Sequence, residues 1–370
     1  MHRFRTYALS AVLATALAAP AMAADKIEIG AILSLTGVAA AVGNQQRHGI
    51  ELAVEGINAS GGIEGQQVEV IFEDHQAKAD QAVLGFNRLM ELHDIPAMIS
   101  GFSGPTLAIA PLATRRKTLV LNPSAQADQL AKASPYLVNT IPTVSDETSV
   151  LARYVYQTLG KKTASILYEN SAPGISGRDD FRAAFEKEGG KIIDEEPIQF
   201  GETNFRAALL KIAAGNPDAL FGQITQGTPQ LAEQSKQLQT KFTIVGTTNF
   251  IEPALRGNQA ANGWVHTQLL NSVPDGIEAK FKEKFGEDMN FHAKQCFNAM
   301  EILATSMRKV VKDGGKLDGE TVKAALFEIG SFGDQKMPIT FKSNTAQMGI
   351  GINEFKDGNT VQIENMSSAN

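Results

Sequence analysis

The segment from Lys26 to Asp74 constrains the fold most, because it encodes a strand, a loop, a helix and a second strand in succession. It reads KIEIGAILSLTGVAAAVGNQQRHGIELAVEGINASGGIEGQQVEVIFED. The first strand is predicted over 27–33, and the small residues after it let backbone amides approach a ligand. A helix is predicted next, because apolar residues recur at i, i+3, i+4 and i+7 from Ile50, with Asn44 as its N-cap.

Strand-like runs alternate with amphipathic helix patterns along most of the remaining chain. Further strands are predicted over 68–72, 97–100, 118–121, 163–168, 191–200, 219–223 and 242–246. Such alternation indicates parallel sheets flanked by helices, and two series of about five strands favour two doubly wound α/β lobes. The tail, 339–363, predicts a hairpin around Asp357 and Gly358, and Ser145 is expected to cap a helix between the two series.

The first residues, 1–23, have the pattern of a cleavable secretory signal peptide. Arg3 and Arg5 precede an apolar stretch over 9–17, and Ala21-Met22-Ala23 offers small residues before a cleavage site near Ala24. The apolar stretch is roughly half the ~20 residues that cross a bilayer. Because no cysteine stands at the cleavage site, the exported protein is expected in the periplasm without a lipid anchor.

Composition argues against nucleic-acid binding and against a disulfide framework. The net charge is −6 and the chain has no basic runs. Cys296 is the single cysteine, so it cannot form an internal disulfide, and its apolar neighbours predict a buried helix position.

The sequence offers no arrangement typical of an enzyme, a metal site or a cofactor site. The six histidines are scattered without the spacing of metal ligands. Asp74 and His75 are adjacent, but neighbours at a strand end point to opposite sides, so a role in structuring the loop is predicted. The GFSGP motif around Ser103 lacks the last glycine of a nucleophile elbow. We therefore expect a protein that is not an enzyme and holds no cofactor or metal.

Several motifs, in their order along the chain, resemble one family. These are IGAILSLTG, GIELAVEGINASGGI, GFSGPTLAIAPL, TLVLNPSAQ and YENSAPGISGRDDF. They resemble the type I periplasmic binding proteins of the leucine/isoleucine/valine-binding family, the solute receptors of ABC importers. The resemblance implies two Rossmann-like lobes joined by three crossovers, with an N-terminal lobe of 24–143 plus 272–340 and a C-terminal lobe of 144–271 plus 341–370. It also implies a cleft that closes by a hinge, a small-molecule ligand and an ABC permease as partner. A monomer is the default expectation.

In that family a serine-bearing loop and the following strand-turn hold the ligand carboxylate with hydroxyls and backbone amides at a helix N-terminus. Helix N-termini favour anions on physical grounds as well. The alternative role for Ser103 is a helix cap. The predicted ligand-binding residues are Val42, Ser103, Gly104, Thr106, Ser124, Ala125, Gln126, Pro173, Gln223, Thr248 and Asn249.

Two departures from the family pattern concern the ligand's ammonium group. The positions of the two family carboxylates that surround this group align with Val144 and Thr248, which carry no charge. Burying an ammonium without a carboxylate is costly, so an α-amino acid requires Asp146, Glu147 or Glu169 to reach the cleft.

The remaining cleft loops carry neutral side chains that form hydrogen bonds or satisfy the loop backbone, namely Asn122, Ser124, Gln126, Gln223, Thr225, Gln226, Thr247, Thr248 and Asn249. They predict an aromatic or aliphatic carboxylic acid, or an amide, as the ligand. Two rivals are a receptor for branched-chain or other amino acids and a periplasmic sensor module that signals to a membrane receptor.

Overall fold

The computed structural model describes residues 26–250 and 255–367. The predicted signal peptide, 1–23, lies outside the described residues. Within the described part of the chain, no helix combines the length and the hydropathy needed to cross a membrane.

The first half of the chain forms a five-stranded parallel sheet with the order β2-β1-β3-β4-β5. Its strands are β1 (Ile27–Leu33), β2 (Val68–Asp74), β3 (Ala97–Ser100), β4 (Leu119–Asn122) and β5 (Leu137–Asn139). Its connecting helices are α1 (Ala40–Ala59), α2 (Ala79–Leu92) and α3 (Ser103–Arg116). Because each helix links consecutive parallel strands, the carboxyl ends of the strands all meet at one edge.

A second parallel series begins after Asn139 and repeats the same alternation. Its helices are α4 (Val144–Arg153), α5 (Ala172–Lys187), α6 (Arg206–Ala214) and α7 (Thr228–Gln237). Its strands are β6 (Thr163–Glu169), β7 (Lys191–Ile198), β8 (Ala219–Gln223), β9 (Thr243–Gly246) and β10 (Val265–Leu270).

The chain then returns to the first sheet before ending on the second. The returning helices are α8 (Ile277–Phe285), α9 (Phe291–Lys312) and α10 (Gly319–Ile329), and α9 packs along α1. A small antiparallel sheet follows, made of β11 (Ser331–Phe332), β12 (Ile339–Phe341) and β13 (Ala346–Gln347). The last hairpin, β14 (Gly349–Lys356) and β15 (Asn359–Ser367), completes the second sheet in the order β15-β14-β10-β9-β8-β6-β7. Three segments therefore link the two sheets, and the predicted α/β architecture is confirmed.

Apolar side chains fill the space between each sheet and its helices. In the second sheet, the Phe181 ring stacks on Phe185 and Phe221, with centroids 5.5 Å and 4.2 Å away. All three rings are fully buried. Cys296 is buried in α9 as predicted, and burial raises the pKa of its thiol.

The predicted strand limits differ from the observed ones by at most two residues, but three other predicted starts are wrong. Helix α1 begins at Ala40, upstream of Asn44, because the alanines before Asn44 are strong helix formers and extend the helix without a side-chain cap. Helix α4 begins at Val144, so Ser145 lies in its first turn and not at the cap. The C-terminal hairpin starts at Gly349, because Ile339–Phe341 pairs within the small sheet; its turn at Asp357 and Gly358 is as predicted.

Candidate ligand-binding cleft

The carboxyl ends of the strands in the two sheets face each other across a cleft with two adjoining cavities. The inner cavity has a volume of about 40 Å³ and is lined by Val42, Gln46, Phe102, Ser103, Ser124, Ala125, Gln126, Pro173, Thr225, Asn249 and His292. The outer cavity, of about 440 Å³, is lined by Ala41, Val42, Gln45, Thr203, Thr225, Gln226, Gly227, Pro229, Gln230, Thr248, Asn249, Glu287, Asn290, Phe291 and His292. Four residues line both cavities, so the two form one continuous cleft.

The structure brings most of the predicted site residues together. Those that line the inner cavity are Val42, Ser103, Ser124, Ala125, Gln126, Pro173 and Asn249, while Thr248 lines the outer cavity. Gly104, Thr106 and Gln223 line neither cavity. The Thr106 hydroxyl is instead 2.8 Å from Ser100 Oγ, and Gln223 Oε1 accepts a hydrogen bond from Thr247 Oγ1.

Three residues of the inner-cavity wall were not predicted from the sequence: Gln46, Phe102 and His292. Gln46 lies on α1 and His292 on α9. The packing of these two helices against each other is a tertiary contact that the sequence does not indicate. Phe102 precedes α3 with φ +63, a backbone conformation that is rare for an aromatic residue. Of the three residues, only Phe102 had a signal in the sequence, because it is an aromatic residue next to Ser103, which was predicted to lie in a ligand-binding loop.

One end of the inner cavity lies at the N-terminus of α3 and provides hydroxyl groups. Ser103 is the first residue of α3 and not its cap; its Oγ accepts from Ala127 N at 3.3 Å, which leaves its hydroxyl hydrogen to donate. The first amides of a helix have no partner within the helix, so Ser103 N and Gly104 N add positive potential here. This end of the cavity favours an anion.

Asn122 shapes the loop that carries Ser124. Its Oδ1 accepts from Ser124 N and Ala125 N at 3.3 Å and 2.8 Å, and its Nδ2 donates to Ala125 O. Those two amides, which the family resemblance implied as carboxylate donors, are therefore already bound. The Ser124 hydroxyl accepts from Gln46 Nε2 at 2.6 Å and keeps its own hydrogen to donate.

Glu147 is completely buried behind the cavity wall and bonded by protein donors. Its Oε1 accepts from Gln126 Nε2 at 2.7 Å. Its Oε2 accepts from Thr248 N at 2.9 Å, from Thr248 Oγ1 at 2.5 Å and from Thr267 Oγ1 at 2.5 Å. Glu147 lines neither cavity and positions two residues that do.

The other two carboxylates considered for an ammonium partner also lie outside the cavity walls. Glu169 accepts from Thr225 N at 3.0 Å and from Thr225 Oγ1 at 2.7 Å, and its burial raises its pKa. Burial, and then the neighbouring Glu147 carboxylate, raise the pKa of Asp146 to about 6. None of the three side chains presents a carboxylate to the inner cavity.

Direct contacts join the two sides of the cleft next to the inner cavity. The rings of Phe102 and Phe200 meet edge to face at 6.3 Å. Asp128 N donates to Ser176 Oγ at 3.3 Å, and that hydroxyl donates to Gln129 Oε1 at 3.4 Å. Side chains from both lobes therefore enclose the inner cavity.

Other candidate features are structural. Asp74 Oδ1 accepts from Leu35 N at 2.9 Å and His75 Nδ1 accepts from Ala77 N at 2.9 Å, so this pair organises loops as predicted. Another cavity of about 430 Å³ lies near the start of α9 and shares Asn290 and Phe291 with the outer cavity. The charged side chains that line it pair with each other, Arg256 with Asp288 and Lys294 with Glu278.

Two α/β lobes with a ligand-sized cleft at the carboxyl ends of their strands define a solute-binding protein. The family model described as periplasmic binding protein matches residues 26–353. The chain therefore belongs to the type I periplasmic binding proteins of the leucine/isoleucine/valine-binding family, which serve ABC transporters as solute-binding components.

The chain is similar to curated proteins with amino-acid-binding names. It is 27% identical over 334 residues to the Leu/Ile/Val-binding protein BraC3 of Rhizobium johnstonii, covering 86% of this chain and 88% of that protein. It is 26% identical over 333 residues to the leucine-, isoleucine-, valine-, threonine-, and alanine-binding protein of Pseudomonas aeruginosa, with 86% of each chain covered.

Solved structures share the fold and hold chemically different ligands. A solute-binding protein of Rhodopseudomonas palustris in complex with 3,4-dihydroxybenzoic acid superposes with a TM-score of 0.83 at 22% identity, covering 93% of this chain and 98% of that one. A branched-chain amino acid transporter substrate-binding protein of Streptococcus pneumoniae in complex with isoleucine gives 0.81 at 22% identity, covering 93% and 100%. The fold alone therefore does not determine the ligand, and ligand specificity depends on the residues of the cleft.

Proposed function

We propose that this protein is a periplasmic receptor, not an enzyme, that binds a small carboxylic acid without an ammonium group and delivers it to an ABC permease of the inner membrane. The ligand is an aromatic or aliphatic acid, or the corresponding amide. The N-terminal lobe, 24–143 plus 272–340, and the C-terminal lobe, 144–271 plus 341–370, close around it by a hinge. The 40 Å³ inner cavity supports this motion, because a volume that fits only a few water molecules has to widen to admit such a ligand.

The observation that carries the proposal is that hydrogen-bond donors line the inner cavity, while the nearby acidic side chains lie behind its wall. Its wall contains the Ser103 and Ser124 hydroxyls near the N-terminus of α3 and, among the residues that the structure describes, no carboxylate. Glu147 and Glu169 already accept hydrogen bonds from protein groups. The Glu287 carboxylate, which lines the outer cavity, lies 2.7 Å from His48 Nδ1. Burying an unpaired ammonium costs several kcal/mol, so the cleft favours a ligand with one negative end and a neutral body.

An α-amino acid is the second candidate, and the names of the curated relatives favour it. To reach Glu147, its ammonium would displace Gln126 or Thr248, giving up hydrogen bonds worth about 1.5–3 kcal/mol each.

Thermal unfolding against matched ligands separates the two candidates. Each pair shares its carbon skeleton and differs in the α-ammonium: isocaproate with leucine, and phenylpropanoate with phenylalanine, alongside benzoate. A ligand at 100 times its Kd adds about 2.7 kcal/mol to the free energy of unfolding, which shifts the midpoint by several degrees. We expect shifts with the acids that lack the ammonium. A shift with leucine or phenylalanine but not with its partner would reject the proposal in favour of an amino-acid receptor.

The proposed export is tested by the mass of the protein recovered from the periplasm. Cleavage near Ala24 predicts a chain that lacks 1–23 and carries no lipid. A full-length or lipidated product would contradict this part of the proposal.

A further inference from the structure

Gln46 presents an unpaired hydrogen-bond acceptor at the inner cavity. The residue is 1% exposed and lines the cavity wall. Its Nε2 donates to Ser124 Oγ, while its Oε1 is buried and has no hydrogen-bond partner among the described residues. The amide lies against the end of β3, since a Cβ on Gly101 would come within 2.9 Å of both amide atoms. This packing and the Ser124 bond hold the acceptor in place.

His292 places a second unpaired polar atom in the same wall. Its Nδ1 is buried without a hydrogen-bond partner in the described part of the chain, and the residue lines both cavities. Burial lowers the pKa of His292 to about 4, so the imidazole is neutral near pH 7 and can either donate or accept.

Buried polar atoms without partners are uncommon in folded proteins, and each one requires an explanation. Gln46 Oε1 and His292 Nδ1 both lie at the wall of the cleft that is proposed to hold the ligand. The simplest explanation is that the ligand supplies the missing partners. Neutral lining residues suit an uncharged partner such as a hydroxyl, which donates to one group and accepts from the other.

We propose that the ligand is a hydroxy acid whose hydroxyl, on the first or second carbon from the carboxylate, binds Gln46 Oε1 and His292. The inference rests on the proposed function, because it places the carboxylate at Ser103 and Ser124. The Ser124 hydroxyl and the Gln46 amide are in direct contact at 2.6 Å. A carboxylate at Ser124 therefore brings its neighbouring carbons alongside Gln46.

Calorimetric titration of three ligand series tests the inference. The series are isocaproate with hydroxyisocaproate, phenylpropanoate with phenyllactate, and benzoate with salicylate; leucine and phenylalanine complete the first two. A site that forms a hydrogen bond to a hydroxyl discriminates strongly against the analogue that lacks it, so we expect at least about tenfold tighter binding of the hydroxy acid in one series.

Variants identify the residue responsible for this preference. Gln46→Met keeps the length of the side chain and removes the acceptor, so the preference should fall to about threefold or less. Gln295→Met is the matched control, because Gln295 is a buried glutamine on α9 with both amide atoms unpaired among the described residues, and it lines neither cleft cavity. Gln295→Met should keep the parent preference. Circular dichroism establishes that each variant is folded.

The outcomes distinguish this inference from the proposed function. Equal binding of hydroxy and deoxy acids overturns the hydroxyl assignment and leaves the carboxylate receptor intact. A preference that survives Gln46→Met also overturns it. Binding of the amino acids alone, or of none of the compounds, overturns both the hydroxyl assignment and the carboxylate receptor proposed above.

Discussion

Replacing Glu147 with glutamine tests whether this carboxylate is part of the protein's own hydrogen-bond network. The substitution keeps the shape of the side chain but puts an NH₂ group where one carboxylate oxygen stood. Either orientation of the amide then places a donor opposite at least one of the donors on Gln126, Thr248 and Thr267. The bonds that survive also lose their charge assistance.

The magnitude follows from the four hydrogen bonds that Glu147 accepts. A bond to a charged group contributes about 1.5–3 kcal/mol and a neutral bond about 0.5–1.5 kcal/mol. The substitution removes one of these bonds and weakens the other three. Part of this loss is offset, because a neutral amide costs less to bury than a carboxylate. We therefore expect the free energy of unfolding to fall by about 2–4 kcal/mol. Urea unfolding of the ligand-free protein, monitored by circular dichroism, measures it.

Asp146→Asn is the control on the same turn of α4. Because burial and the Glu147 charge raise the pKa of Asp146 to about 6, removing its charge should leave stability unchanged or slightly increased at pH 7.5. The reasoning is refuted if Glu147→Gln is as stable as the parent or more stable. A carboxylate kept unpaired for a ligand cation would destabilise the ligand-free protein, and neutralising it would then stabilise the fold.

Two further predictions concern packing and pH. In α1, a Cβ on Gly49 would lie 2.2 Å from Ala293 O of α9, so Gly49→Ala should cost about 1–3 kcal/mol in urea unfolding. The same change at Gly56, which has open space around it, should stabilise by about 0.5–1 kcal/mol, and equal effects at the two sites would contradict this packing. Burial, and then the nearby Asp128 carboxylate, raise the pKa of Asp180 to about 8. The folded protein therefore keeps a proton that the unfolded chain releases at lower pH, and this stabilising contribution is lost progressively as the pH rises from about 4, the ordinary pKa of an aspartate, to about 8. Thermal midpoints should fall over that range in the parent but less in Asp180→Asn, and parallel profiles would exclude the effect.

The sequence predicted the strands well because parallel strands buried on both faces are short apolar runs bounded by polar or small residues. The run at 27–33 and the run at 219–223 match β1 and β8 residue for residue. Helix starts were less predictable. Several residues can begin a helix, and the alanines before Asn44 moved the start of α1 without any side-chain cap.

The sequence also predicted that Ser103 and Ser124 lie close together, since the loops that follow β3 and β4 bring them to the same sheet edge, and both line the inner cavity. The sequence could not show which acidic side chains face the cleft. Glu147 was one of three carboxylates considered for a ligand ammonium, and its adjacency to Asp146 gave no indication which of the two points inward. The Thr248 and Thr267 hydroxyls that bind Glu147 come from distant loops and strands.

By itself, the sequence determined the order of strands and helices, the two lobes and the position of the cleft, because these depend on local periodicity and on the rule that parallel strands align their carboxyl ends. Only the tertiary structure decided which helix side chains and which acidic side chains line the cleft. Gln46 and His292 reach the cavity because α1 and α9 pack closely enough for Gly49 to contact Ala293, and Glu147 is withdrawn because Gln126 and Thr248 converge on it. Contacts between residues so far apart in the chain leave no periodic pattern, so they appear only once the chain has folded.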